Sequence, residues 1–491
     1  MKTLVLCNIG NSDLKADGNR PKLPRPDGEQ LWQHFADHAF ALPIIEPCLA
    51  YLLQVTGQID RIVLFYTDQP ATDQTTALDR YGVSLRDKDT LWYARIAERL
   101  LHERFAERLG GIDLLRVERG NGQMINPSLY DEAFDAYGDL VTRSYTPGVE
   151  CHVLMAGGIP ACNVALQIQA LSAYGERCRF IYQPEGGTPC DLRVGDQIQA
   201  TFRRATALSA LDRRDFATAL RSIEALDRPD PALIALLHYA CYREAFDFAR
   251  ARTALAEGTR QASGELRTFL ASLQPDLATL VARADTGALL REVHASAGIT
   301  FGNGRYADFL GRVFRFQEAA LRHIVETRLD LPTDLSKAIR TANLARYLEL
   351  IDANPALKAH LAAAQVDAKP LRYSDGPNRP VMDALLEFLV KGGMRPDGRP
   401  YLGKDDKLRF GEVRKRLNKM NDLAELRNQS IIAHGFAGVS REEVDAAYKG
   451  DAVAILADMD KVIELIGLGK LRSPFDRIAE VAADVLRRSA L

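Results

Sequence analysis

Over roughly the first 200 positions, short apolar runs that end in small polar residues alternate with longer stretches of helical spacing. The runs Thr3–Asn8, Asp60–Tyr66, Asp113–Arg119, Cys151–Met155 and Cys178–Tyr182 predict five strands. Between them, apolar residues at helical spacing predict helices near Gln30–Val55, Thr90–Leu109, Ser128–Arg143 and Ala161–Tyr174. Repeated strand–helix units of this size build a doubly wound α/β fold on a parallel sheet. From about Thr201 the strand signals vanish. Ala- and Leu-rich hairpin patterns follow at Asp215–Leu226, Pro231–Tyr242 and Phe246–Glu257, too few to make a repeat array and read as a helical connector. The remainder predicts helices at Arg305–Leu329, Ser336–Asn354, Val381–Lys391, Phe410–His434, Arg441–Gly467 and Pro474–Arg488, with Pro/Gly-rich loops at Ala368–Pro380 and Gly392–Asp406. The expected organisation is an α/β domain over 1–200, an all-α linker over 201–287 and an all-α domain over 288–491.

A chain of 491 residues is too long for one core, which agrees with that division. Its 47% hydrophobic and 26% charged residues are those of an ordinary globular protein. A net charge of −2 provides no global field for nucleic acid, so any basic surface must be local. One such strip is Lys404–Lys419, with seven Lys/Arg against three Asp/Glu. No apolar run approaches the ~18 residues of a membrane span, and Leu4–Cys7 is too short for a signal peptide, so a cytoplasmic protein without membrane contact is expected. Seven cysteines, at 7, 48, 151, 162, 178, 190 and 241, form no CxxC pair and no zinc-like spacing with histidine; buried thiols and no metal site are expected.

Ligands of open parallel sheets bind beyond the carboxyl ends of the strands. Three strand ends here carry small residues that expose backbone: Gly10-Asn11-Ser12-Asp13, Thr67-Asp68 and Gly157-Gly158-Ile159-Pro160. Glycines at 157 and 158 allow close approach, Pro160 suits a first helical position, and the free N–H groups behind it would face a phosphate. Asn163, one turn in, can read a base edge or a sugar hydroxyl. Each glycine alone does no more than permit a turn; three such loops on one edge suggest a nucleotide pocket. The GxGxxG of a dinucleotide coenzyme site and the P-loop lysine are both missing.

Near the other end, Leu426-Arg427-Asn428-Gln429-Ser430-Ile431-Ile432-Ala433-His434-Gly435 reads as the close of a helix stopped by Gly435. Two helical turns would then separate Arg427 from His434 by roughly 10 Å on one face. A permanent cation and an imidazole able to move protons near neutrality suffice to cleave RNA without a metal. A histidine in the last turn of a helix is also favoured by the helix dipole alone.

Gly10-Asn-Ser-Asp13 and Ala156-Gly-Gly-Ile-Pro-Ala-Cys-Asn163 resemble the two signature loops of the CARF domain, and Arg427-Asn428-x5-His434 resembles the R-x(4–6)-H motif of HEPN ribonucleases. The stretch Gly304–Glu318 is similar to the first HEPN helix. Together they resemble the ancillary CARF–HEPN ribonucleases of type III CRISPR systems over nearly the whole chain. The resemblance implies a homodimer whose sensor binds a cyclic oligoadenylate (cA4 or cA6) and whose paired HEPN domains cleave single-stranded RNA. It implies no cofactor and no stable association with the CRISPR effector complex. Arg427, Asn428 and His434 would be catalytic; Gly10, Asn11, Ser12, Asp13, Thr67, Asp68, Gly157, Gly158, Ile159, Pro160 and Asn163 would hold the activator. Cleavage would leave a 2′,3′-cyclic phosphate and a 5′-hydroxyl. The chain departs from the family at Ile159, often threonine there, which leaves open whether the sensor cleaves its own activator. Three alternatives stand beside this: a sensor with a silent HEPN dimerisation module, a transcriptional regulator, and a nucleotide-metabolising enzyme.

Overall fold

A computed structural model describes residues 2–78, 81–155, 157–184, 186–282, 285–366, 368–469 and 473–489. It divides into two compact units, Met1–Phe202 and Arg203–Leu491.

The first unit is built on six strands: β1 (Thr3–Asn8), β2 (Ile59–Tyr66), β3 (Leu109–Arg116), β4 (Glu150–Leu154), β5 (Cys178–Tyr182) and β6 (Cys190–Leu192). They lie in the order β3-β2-β1-β4-β5-β6, with β6 alone antiparallel. All six residues of β1 are buried, as expected of a strand covered on both faces. Alternate residues enter opposite layers: Val5 and Cys7 join a cluster with Leu49 and Tyr93, while Leu4 and Leu6 join Tyr137 and Leu166. Strands β2 and β4 flank β1 on opposite sides. Strand order therefore reverses between β1 and β4, the point where an open sheet leaves a crevice at its carboxyl edge.

Several boundaries differ from the sequence pattern for identifiable reasons. The helical stretch expected over Gln30–Val55 is two helices, Pro24–Gln33 and Ile45–Thr56, interrupted around Pro43, which a helix interior rejects. Strand β3 begins at Leu109 rather than Asp113, because Gly110 and Gly111 carry no side chains to register in the alternation. Gly110 is needed there: a Cβ would sit 2.2 Å from the carbonyl oxygen of Asp60. The three-residue edge strand β6 is too short to leave a periodic signal.

The second unit is helical apart from the ribbon Gln365–Val366 and Lys369–Pro370 among its described residues. Its longest helix, Tyr306–Leu329, buries Phe309, Val313, Phe316, Ala320, Ile324 and neighbours at helical spacing. They pack with the helices Thr286–Gly302, Arg379–Val390, Lys404–Lys419 and Val453–Leu465 in one core. The stretch expected as one helix over Arg441–Gly467 is two, Arg441–Ala447 and Val453–Leu465, because Lys449 and Gly450 both adopt positive φ (60° and 86°).

The C-terminal helix Pro474–Arg488 belongs to a second cluster, with Phe216–Glu224 and Pro231–Glu244; the rings of Phe475 and Phe216 are 5.9 Å apart. Arg243 of Pro231–Glu244 grips Glu292 of the helix Thr286–Gly302 through two hydrogen bonds of 2.7 and 2.8 Å, with side chains only 4% and 3% exposed. A pair so buried is held by its geometry, and loss of either partner would strand a charge. No helix among the described residues is long and apolar enough to cross a membrane.

Candidate functional site

The loops after β1 and β4 meet at the reversal of strand order. A Cβ on Gly10 would lie 2.2 Å from Gly158 N, so the two backbones are in direct contact and only glycine fits. Gly158 has φ +120°, a conformation that side chains resist. Around this contact lies a cavity of about 350 Å³. Gly10, Asn11, Ser12, Thr67, Gly158, Ile159 and Pro160 line it, together with Asn8, Gln69, Lys88, Asn126 and Tyr137. Pro160 opens the helix Pro160–Tyr174, whose start has no side-chain cap, leaving its first N–H groups for an anion.

The other expected residues stand around this cavity rather than in its wall. Asn163 Oδ1 accepts from Asn8 Nδ2 at 2.8 Å, and Tyr137 donates to Asn8 Oδ1, which fixes Asn8 at the floor. Asp68 forms an ion pair with Arg25, and Gly157 lies against Asp13. Ala156 is outside the described residues. Asn8, which sequence reasoning passed over, was within reach of the strand-end rule, since it closes β1. Gln69 directly follows the Thr67-Asp68 strand end, while Lys88 and Asn126 come from other loops and left no such signal.

Asp13 is 1% exposed and ties the two loops together from below. Its Oδ2 accepts from Gly10 N at 2.7 Å and its carboxylate also accepts from Gly157 N, while Oδ1 is buried with no partner. Burial pushes this carboxyl up from 3.8 to about 7, against the pull of the two N–H groups and Arg20. The folded state thus binds the proton more tightly than the unfolded chain, whose pKa is near the ordinary value. Unfolding free energy falls as pH rises from about 4 to about 7 and the loss is complete above that, on the order of 4 kcal/mol at most. Asp13→Asn is expected to flatten this: between pH 5 and pH 8 the thermal midpoint of the native chain should drop further than that of the variant. Parallel midpoint curves would contradict it.

At the second candidate site the expected helix through His434 is corrected. The helix Ala424–Gln429 ends at Gln429, and residues 430–437 form a closed loop. Ser430 turns extended (φ −86°, ψ 163°) and its Oγ donates to Arg427 O at 2.7 Å. Ala437 N then donates to Gln429 O at 2.9 Å, and Gly435 passes so close that a Cβ would lie 1.9 Å from the same oxygen. A serine that bonds the preceding turn and a glycine demanded by close approach end the helix, so Gly435 acts as a crossing point and not as a helix stop. The loop returns His434 N to 3.4 Å from Asn428 O. The two-turn separation of Arg427 and His434 expected for a continuous helix therefore does not apply.

Arg427 is half-buried. Its Nε and Nη2 donate to Asn428 Oδ1 at 3.2 and 2.7 Å, and its guanidinium lies 4.4 Å from the centroid of Phe314. No carboxylate pairs with it among the described residues. His434 is exposed, flanked by Ile431 at 71% and Phe436 at 96% exposure. Much of the basic strip beside it is spent on structure: Arg409 pairs with Asp406, Arg414 with Asp383 and Glu387, and Arg416 and Lys419 with Asp458. Sequence reasoning missed Arg379 and Phe314, which tertiary packing alone brings to Arg427. Among the described residues no group of three or more His, Cys, Asp or Glu could hold a metal ion.

No protein-family model matches the chain, and no curated protein does. Among solved structures, Csm6 of Enterococcus italicus bound to cyclic hexa-2′-fluoro-hexa-dAMP is similar over 100% of both chains, at 13% sequence identity and a TM-score of 0.46.

Proposed function

We propose that this chain is a cyclic oligoadenylate-activated, metal-independent endoribonuclease acting on single-stranded RNA in type III CRISPR defence. One observation carries the reading: a guanidinium with no carboxylate partner among the described residues, braced by Asn428 and Phe314, stands on a short helix whose following loop carries an exposed imidazole. That pair suits RNA, whose 2′-hydroxyl is its own nucleophile. His434 assists proton transfer at that hydroxyl or at the leaving oxygen, and Arg427 meets the charge on the phosphorane. Asn428 fixes the Arg427 fork. Gly10, Asn11, Ser12, Thr67, Gly158, Ile159 and Pro160 hold the activator; Asp13, Gly157, Asn163 and Asp68 support their loops.

In this reading the domains follow the sequence: a sensor over 1–200, a helical linker over 201–287 and a nuclease over 288–491. The protein acts as a homodimer, with Ile431, Ile432 and Phe436 as an apolar rim that a second copy covers. The test is a fluorogenic RNA assay on the full chain with no activator, with cyclic tetraadenylate and with cyclic hexaadenylate, alongside light scattering. Activation by one ring and a mass near twice 54.4 kDa are expected. RNA cleavage by a clean monomer would remove the composite site, and binding of a ring without any cleavage would favour a sensor with a silent C-terminal module.

A further inference from the structure

Two guanidinium groups share the ring of Phe314. Arg427 lies 4.4 Å from its centroid and Arg379, which opens the helix Arg379–Val390, lies at 5.6 Å. Neither has a carboxylate within ion-pair distance among the described residues; Arg427 bonds Asn428, and Arg379 bonds Asn421 Oδ1. The acids whose charge reaches Arg379 are already committed, Glu318 to Arg315 and Arg322, and Asp383 to Arg414. Burial, and then the neighbouring Arg427, push Arg379 below the usual guanidinium range. Two like charges held together with no ion pair of their own among the described residues form a site for an anion.

Arg379 also lines a cleft of about 420 Å³. Gln317, 1% exposed, lines it too. Its Nε2 is used, donating to Leu417 O and to Asn421 Oδ1, the second at 2.9 Å; its Oε1 is buried with no partner. Buried acceptors are rarely left alone, and a volume of this size accepts a nucleotide base. Asn421 links the two features, since one oxygen accepts from both Gln317 and Arg379.

We propose that this cleft is a nucleotide subsite of the RNA site, in which Arg379 grips the phosphodiester next to the one met by Arg427 and the cleft receives the attached base. The proposal rests on the ribonuclease reading above. With Gln317 Oε1 as its unpaired acceptor, the subsite selects a base with an exocyclic amino group over uracil.

The test uses the full-length chain carrying His434→Ala, so that RNA binds without being cut, and fluorescence anisotropy with labelled oligo(A), oligo(C) and oligo(U) over a salt series. Adding Arg379→Met should weaken binding at least tenfold and reduce the slope of log K against log salt by about 0.7, one phosphate contact on a single strand. Arg379→Lys should restore the slope and only part of the affinity, because a point charge replaces the fork; it also carries the test if the methionine variant does not fold. Asn418→Trp, on the cleft wall, should erase the preference over oligo(U) and keep the slope. In the otherwise native enzyme Arg379→Met should raise KM far more than it lowers kcat. Unchanged affinity and slope in Arg379→Met, or equal binding of oligo(U) and oligo(A), would overturn the subsite while RNA cleavage stood. A native chain that neither binds nor cuts RNA would remove the ribonuclease reading and the subsite together.

Discussion

His434→Ala is expected to lower RNA cleavage by roughly 10²–10⁴-fold, the usual worth of a positioned proton carrier, and to leave activator binding and dimer mass unchanged. His434 sits on an exposed loop, joined to the fold through its backbone N–H to Asn428 O and not through its ring. Truncating the side chain therefore removes chemistry without removing a support. Arg427→Lys should fail as well, although charge is retained. The guanidinium uses two nitrogens to hold Asn428 Oδ1 and a flat face against Phe314; an ammonium reproduces neither the fork nor the stacking. Cleavage rates on a fluorogenic RNA, with calorimetry and light scattering on the same samples, separate these outcomes. A His434→Ala enzyme within threefold of the native rate would remove the imidazole from the mechanism.

Gly158→Trp should abolish binding of the cyclic oligoadenylate. The position has φ +120°, so any L side chain strains the loop, and an indole would enter the cavity that Gly10, Ile159 and Pro160 enclose. Gly158→Ala separates the two effects. Its Cβ would meet Asn163 Oδ1 and Asn8 Cβ at 3.7 Å and Asn163 Nδ2 at 4.0 Å, ordinary contact distances, so it adds strain and leaves the space open. Weakened but measurable binding is expected for alanine and none for tryptophan. Calorimetry showing native affinity in Gly158→Trp would place the activator elsewhere.

The sheet was legible because β1, β2, β4 and β5 are apolar runs, the first three ending at or shortly before Asn8, Thr67 and Gly157. Their loops could be located for the same reason, since the backbones come into contact where Gly10 and Gly158 stand. What escaped the pattern depends on packing between distant segments. The turn at 430–437 is set by Gln429 O, which Gly435 crosses and Ala437 bonds, and a sequence shows Gly435 as a helix stop equally well. The sequence shows Asp13 at a strand end but not its bonds to the backbones of Gly10 and Gly157. The basic strip could not reveal its partners, because Asp383 and Asp458 lie on other helices. Arg379 shares Phe314 with Arg427 through the same kind of distant contact.

The central claim is that RNA is cut by its own 2′-hydroxyl under Arg427 and His434 once a cyclic oligoadenylate occupies the N-terminal pocket. Mass spectrometry of the products formed in EDTA, with and without cyclic tetra- and hexaadenylate, tests it most directly. Fragments with 2′,3′-cyclic phosphate and 5′-hydroxyl ends are expected, formed only with activator and never from DNA. Products with 3′-hydroxyl ends, or cleavage that needs magnesium, would contradict it.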